Sequence, residues 1–219
     1  MPKTKNSETS VTKAEHHRTA IGQAQRAKTR AWIIHCAIPV FAERGPDAPV
    51  IDDFAKAAGV ARSTFYTYFQ TTRELLDAAV AVLSDEVISS IAPLVAGESD
   101  PIIRLATGAW MYYHKAIMDP VFGAFLGSVS SIGPLGAEHA RADLVAAIEQ
   151  GEITILDIDL AESIALGIMV FALRTPHARD HAEERAITVI SATLAALGAS
   201  PPRIRKALRK VKQIGLGTR

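Results

Sequence analysis

Apolar positions recur along this chain at the spacing of α-helices. Between Gln23 and Arg44, residues Ile33, Ala37, Val40 and Phe41 fall at i, i+4, i+7 and i+8, which predicts an amphipathic helix, with Pro39 predicting a kink inside it. Ile51, Phe54, Ala55 and Ala58 mark a second, short helix. It stops at Gly59, where a left-handed residue turns the chain, with Val60 plugging the turn from inside. In the next segment Phe65 and Phe69 are four apart and face inward, while Arg62, Ser63, Tyr66 and Thr67 share the opposite face. A longer helix is predicted from about Thr72 to Val95, capped by Thr71 or Thr72 with Glu74 as in a capping box. Its stripe is Leu75, Leu76, Ala79, Val82, Leu83, Val87, Ile91 and Leu94. Pro101 opens a helix reaching about Met118, Asp119-Pro120 breaks it, and Val121 to Val129 forms a short apolar one. After a loop from Ser130 to Gly136, helices are predicted at Ala137–Gln150, Leu160–Arg174 and about Arg179–Leu197, the last two separated by Thr175-Pro176. The fold class is therefore all-α.

The stretch from Ile51 to Phe69 has the form of a helix-turn-helix: a supporting helix, a tight turn and a second helix with an apolar inner face and a short, polar and aromatic outer one. Such outer side chains are suited to phosphate oxygens and base edges. Here the chain resembles the TetR family of transcriptional regulators. The matching residues are Phe41 to Gly45 closing the first helix, Asp53-Phe54-Ala55, the Ala58-Gly59-Val60 turn, Tyr66, the pair Tyr68-Phe69, and Glu74-Leu75-Leu76 opening a fourth helix. The residues themselves mark a basic N-terminal arm (1–22) and a basic C-terminal tail (201–219) with one helix expected from Arg203 to Lys212. The resemblance implies, between them, a helix-turn-helix DNA-binding domain (23–71) and a larger helical effector-binding and dimerisation domain (72–200). It also implies a dimeric, ligand-responsive repressor on a near-palindromic double-stranded DNA operator, released by a small, largely apolar effector. The alternative is a helical protein-binding or structural bundle that has kept the motif as a vestige.

The implied DNA contacts are Arg62 and Thr67 for base edges and Ser63, Tyr66 and Tyr68 for phosphate, with Thr64 beside them and Lys28 and Arg73 toward the backbone. Four residues depart from the family pattern at three points: Pro49 and Val50 stand where a capping threonine or serine is usual, Ala61 where a serine cap is frequent, and Thr72 where a phosphate-binding lysine is usual. For the effector, the aromatic and soft residues Trp110, Tyr113, His114, Met118, Phe122, Phe125 and Met169 are the candidates. For the homodimer, Ile164, Ile168 and Phe171 on one helix and Ile187, Ile190 and Leu194 on the next present apolar faces that need a partner.

Charge sharpens this division. Residues 1–73 carry eleven Lys/Arg against six Asp/Glu, residues 74–202 carry six against seventeen, and the last seventeen residues carry seven positive charges and no negative one. A basic end on an acidic body suits a nucleic-acid reader with a separate second domain, although a solvated charged surface would show the same counts. The arm, with Lys3, Lys5, Lys13 and Arg18, is expected to be mobile or weakly helical. The single cysteine, Cys36, forms no internal disulfide, and the apolar runs fall short of the roughly 18 residues of a membrane span, so a cytoplasmic protein with no membrane partner is expected. No phosphate loop, nucleophile elbow, HExxH or Cys/His set with metal spacing occurs, and neither the adjacent His16 and His17 nor His177 with His181 reads as a metal site. No enzymatic activity, catalytic residue, metal or cofactor is expected.

Overall fold

The computed structural model describes residues 6–129, 132–174 and 181–217, with side chains over 20–129, 132–174 and 181–214. Thr175-Pro176, His177 and Arg179 lie outside the described residues, as do Lys3, Lys5 and the side chains of Lys13, His16, His17 and Arg18. The described elements are all α-helical: α1 (Asn6–Arg44), α2 (Ile51–Ala58), α3 (Arg62–Tyr66), α4 (Thr72–Val95), α5 (Pro101–Met118), α6 (Pro120–Val129), α7 (Pro134–Glu149), α8 (Ile158–Arg174), α9 (Ala182–Ala196) and α10 (Pro201–Gly217).

Several boundaries differ from the sequence expectation, and the caps explain most of them. Helix α1 begins at Asn6 and runs on through Pro39, so the arm enters it as helix. Pro101 opens α5 as expected, while Pro120, read as a break, and Pro134, placed in a loop, occupy the first turns of α6 and α7, where the missing N–H costs nothing. Asp100 Oδ1 accepts from the amides of Ile102 and Ile103, and Asp119 Oδ1 from those of Val121 and Phe122. Asp157 does the same for Asp159 and Leu160, which starts α8 two residues before Leu160. Thr71 Oγ1 caps α4 by accepting from Glu74 N, but the Glu74 carboxylate reaches back to Gln70 N rather than to Thr71, so the box is displaced by one residue.

Two apolar cores result. The smaller is built from α1 to α4, with Ile33, Phe41, Phe54, Phe65, Phe69 and Leu75 at 1% exposure or less. The larger joins α4 to α10 around Tyr113, Ile102, Leu144 and Ile190. Two helices belong to both. The first half of α4 (Leu75, Leu76, Ala79, Val80) lies in the small core and its second half (Val87, Ile91, Val95) in the large one. Helix α6 places Phe125 against Phe41, ring centroids 6.2 Å apart, while Phe122 and Leu126 enter the large core. By length and composition α4 would pass as a membrane span, yet it carries Asp85 and Glu86 mid-helix and is packed between the two cores.

The basic C-terminal segment, in which the sequence suggests one helix from Arg203 to Lys212, is the helix α10 and is packed on the rest of the chain. Ile204, Ala207 and Val211 of α10 are buried against α5 and α9, and Arg203 and Lys206 bind Asp100 at 3.0 and 2.8 Å. Arg203 is also ion-paired with Glu152.

Candidate nucleic-acid interface and effector cavity

The turn between α2 and α3 is made as its sequence requires. Gly59 has φ 66° and ψ 31°, a left-handed residue, and its amide and that of Val60 close on Lys56 and Ala55 carbonyls. Neither Val50 nor Ala61 offers a side-chain cap to α2 or α3. Asp53 compensates in part: its carboxylate accepts from Val50 N at 2.8 Å and pairs with Arg44 at 2.7 Å. The Val50 amide first and Arg44 second hold its carboxyl below the usual range. A missing cap costs about 1 kcal/mol, whereas each buried phenylalanine contributes roughly 1.5–3 kcal/mol. Four such rings, Phe41, Phe54, Phe65 and Phe69, outweigh both missing caps.

The outer face is set by that core. With Phe65 and Phe69 fully buried, Arg62, Ser63, Thr64 and Thr67 project to the surface, and Tyr66 and Tyr68 are half-buried. Arg62 does not stand free. Its guanidinium donates to both oxygens of Asp52 at 3.0 Å and to Tyr66 Oη at 3.3 Å, and lies 5.7 Å from the centre of the Tyr66 ring. Thr67 Oγ1 donates to Ser63 O, and Gln70 Nε2 to Tyr66 O. Arg73 is exposed and paired with Asp77; Lys28 is exposed on α1. Nearby, Arg30 lies over Phe69, and Trp32 Nε1 donates to Ala58 O at 2.9 Å, tying α1 to the end of the supporting helix. Asp52 and Trp32 did not stand out in the sequence, because each acts through a partner ten or more positions away.

The large core contains a cavity of about 430 Å³, within the range of small-molecule sites. Five helices contribute one stripe each: α4 gives Ile88, Ile91 and Val95; α5 gives Arg104, Leu105, Gly108 and Tyr112; α7 gives Gly136, Ala140 and Asp143; α8 gives Glu162, Leu166 and Met169; α9 gives Ile190 and Leu194. The wall is mainly aliphatic, with a polar side where Arg104 Nε donates to Asp143 Oδ1 at 2.6 Å. Burial raises the Asp143 carboxyl, and Arg104 only partly offsets it. Arg141 reaches Asp159 and Glu162 on the neighbouring wall at 2.8 and 2.7 Å. Tyr112 Oη donates to Ile132 O and shares a hydrogen bond with Ser84, whose Oγ also accepts from Gly136 N.

Of the residues singled out by character for the effector, Met169 lines this cavity. The structure places the others elsewhere. Trp110 is buried and stacked on His114 at 4.8 Å; Tyr113 is fully buried and accepts from Arg185 Nε; Phe122 lies under Lys115; Phe125 belongs to the small core; and Met118 is 54% exposed. Bulky rings fill the space between helices, whereas the cavity is left where Gly108 and alanines line it. On the outer helices, Ile164, Ile168 and Ile187 are half-buried and Phe171 is 66% exposed, with Leu160 continuing the α8 stripe. Ile190 and Leu194 turn the other way, into the core and cavity wall, and leave no surface for a partner.

A family model described as bacterial regulatory proteins, tetR family, matches residues 33–79, from the buried part of α1 to the first turns of α4. Residues 33–79 are therefore a TetR-type helix-turn-helix domain. A relative, the HTH-type transcriptional regulator YvdT of Bacillus subtilis (strain 168), is 35% identical over 68 residues, 31% of this chain and 35% of its own length. This chain thus spans about a third of that relative. An HTH-type transcriptional regulator of Mycobacterium tuberculosis (strain ATCC 25618 / H37Rv) is 27% identical over 166 residues, 71% of this chain and 79% of its own length. Among solved structures, RolR in complex with resorcinol superimposes with a TM-score of 0.60 at 24% identity, covering 84% of this chain and 95% of RolR. A gamma-butyrolactone receptor, described as an ArpA-like protein, gives 0.59 at 17% identity, covering 88% and 99%. These two share the TetR fold with this chain, including the helical domain beyond the family match.

Proposed function

We propose that this TetR-family chain is a homodimeric repressor that binds a near-palindromic operator through α2 and α3 and is released when a small, largely apolar effector fills the cavity. The observation that carries this reading is the placement of α4. Its first two turns are fixed in the core of the DNA-binding domain by Leu75, Leu76, Ala79 and Val80, and its far end forms cavity wall through Ile88, Ile91 and Val95. A ligand that moves the far end moves the recognition helix with it. In a twofold dimer the two recognition helices must enter major grooves roughly 34–36 Å apart. An effector that binds better to a state with another spacing therefore lowers affinity, and one that binds both states equally does nothing. Repression rather than activation is the family's usual mode.

The dimer surface in this reading is the α8 stripe Leu160, Ile164, Ile168 and Phe171, joined by Ile187 of α9. The exposure of Leu160 and Phe171 on this stripe supports pairing. RolR was solved with resorcinol bound, which supports a small cyclic ligand for a cavity of this size. A protein acting on DNA in this way works in the cytoplasm and needs no cofactor or catalytic residue.

The test is a mobility-shift assay with the chain's own upstream DNA, run over a range of salt. Sequence-specific, salt-sensitive binding is expected, with Tyr66→Ala weakening binding to all sequences and Thr67→Ala relaxing preference at one position. Absence of sequence-specific binding would favour the helical protein-binding bundle instead.

A further inference from the structure

The polar side of the cavity restricts the chemistry of what binds there. Arg104 is two-thirds buried and engages Asp143 through Nε; among the described residues its Nη groups make no hydrogen bond to protein. Asp143, 14% exposed, receives that bond on Oδ1, and Oδ2 accepts none among the described residues. The wall thus offers a donor and an acceptor side by side, both drawn from one ion pair. The other acids on the wall, Asp159 and Glu162, are held by Arg141, and His139 Nδ1 is engaged with Leu135 O. A carboxylate ligand would find one cation, already neutralised, and three carboxylates. An ammonium ligand would find Asp143 already matched by Arg104, and Asp159 and Glu162 both turned to the one guanidinium of Arg141, in a chamber that is otherwise aliphatic, where an added charge is costly.

We propose that the effector is a neutral hydroxylated molecule, an alcohol or phenol with an apolar body, whose hydroxyl donates to Asp143 Oδ2 and accepts from an Arg104 Nη group. This rests on the reading of the cavity as the effector site and adds the ligand class and its anchor. A hydroxyl is the smallest group that satisfies both free atoms at once without bringing charge. The ring or chain then lies along Leu105, Leu144, Leu166, Met169 and Ile190.

Four probes of one skeleton test this on the full-length protein by calorimetry and thermal shift: 4-ethylphenol, ethylbenzene, 4-ethylbenzoate and 4-ethylbenzylamine. The phenol should bind roughly tenfold or more tighter than ethylbenzene, since a hydrogen bond to a charged partner is worth at least that factor, and tighter than either charged probe. Asp143→Asn leaves the guanidinium unneutralised, so 4-ethylbenzoate should gain tenfold or more while the phenol loses. Ethylbenzene binding as tightly as the phenol, either charged probe binding more tightly, or an unchanged ranking in a folded Asp143→Asn protein would overturn the proposal and leave the cavity reading intact. Failure of all four probes to bind at millimolar concentration would overturn the effector-site reading itself. The wild-type series decides the matter even where Asp143→Asn does not fold.

Discussion

Asp100 ties the basic helix α10 to the start of α5, and replacing it with alanine tests that packing directly. Its carboxylate, 11% exposed, accepts from the first amides of α5 and binds Arg203 and Lys206 of α10. Losing the cap costs about 1 kcal/mol. The Arg203 contact, half-buried but still backed by Glu152, adds about another 1 kcal/mol, and the Lys206 contact, on a side chain 53% exposed, adds little. A total of about 2 kcal/mol lowers the melting temperature of a chain this size by roughly 4–8 °C. The measurement is a circular-dichroism melt of Asp100→Ala beside the wild type, followed by trypsin digestion under native conditions. Because α10 carries six Lys and Arg between Arg203 and Lys212, any loosening exposes new cleavage sites at once. An unchanged melt together with unchanged cleavage in α10 would refute the docking of this helix through Asp100.

Other outcomes follow from the same geometry. Asp52→Asn removes the carboxylate that occupies Arg62, so affinity for DNA of any sequence should rise severalfold and the salt slope steepen by about one unit; fluorescence anisotropy with operator and scrambled duplexes reads both. Gly133→Ala is expected to cost more than about 2 kcal/mol, because φ is 78° and an added Cβ would stand 2.4 Å from Ser84 Cβ and 2.9 Å from Val80 O, prying α7 from α4; a urea titration measures it. In acid, burial acts to raise the Asp100 carboxyl, but Lys206, the Ile103 amide and Arg203 outweigh it and hold it below its ordinary value. Its contribution is therefore present above the unfolded pKa near 3.9 and lost as pH falls through the lower folded value. The stability gap between the wild type and Asp100→Asn should be full at pH 6 and shrink below about pH 4, and melts across that range check the sign.

Local chemistry made much of this protein legible in one dimension. Helical periodicity located most of the elements, Gly59 located the turn, and the four-residue spacing of Phe65 and Phe69 fixed which side of α3 and of the turn after it looks outward, because both rings are buried in one core although Phe69 lies beyond the end of α3. The bounds of α4 and α5 follow from Thr71 and Asp100-Pro101, signals carried within three residues of where they act. What needed the tertiary structure depends on distance in sequence. Apolar character alone could not tell a ring that fills space, such as Phe125, from a residue beside empty space, such as Met169; the cavity exists where small residues of several helices coincide. Nor could it separate Phe171, exposed on α8, from Ile190, turned into the core, since both lie on apolar stripes. Arg104 meets Asp143 across 39 residues, Arg203 meets Asp100 across 103, and Arg62 finds Asp52 around the turn. The sequence determined the helices and the outward face of the turn region through local rules; the packing of those helices alone decided which charges meet and where a cavity remains.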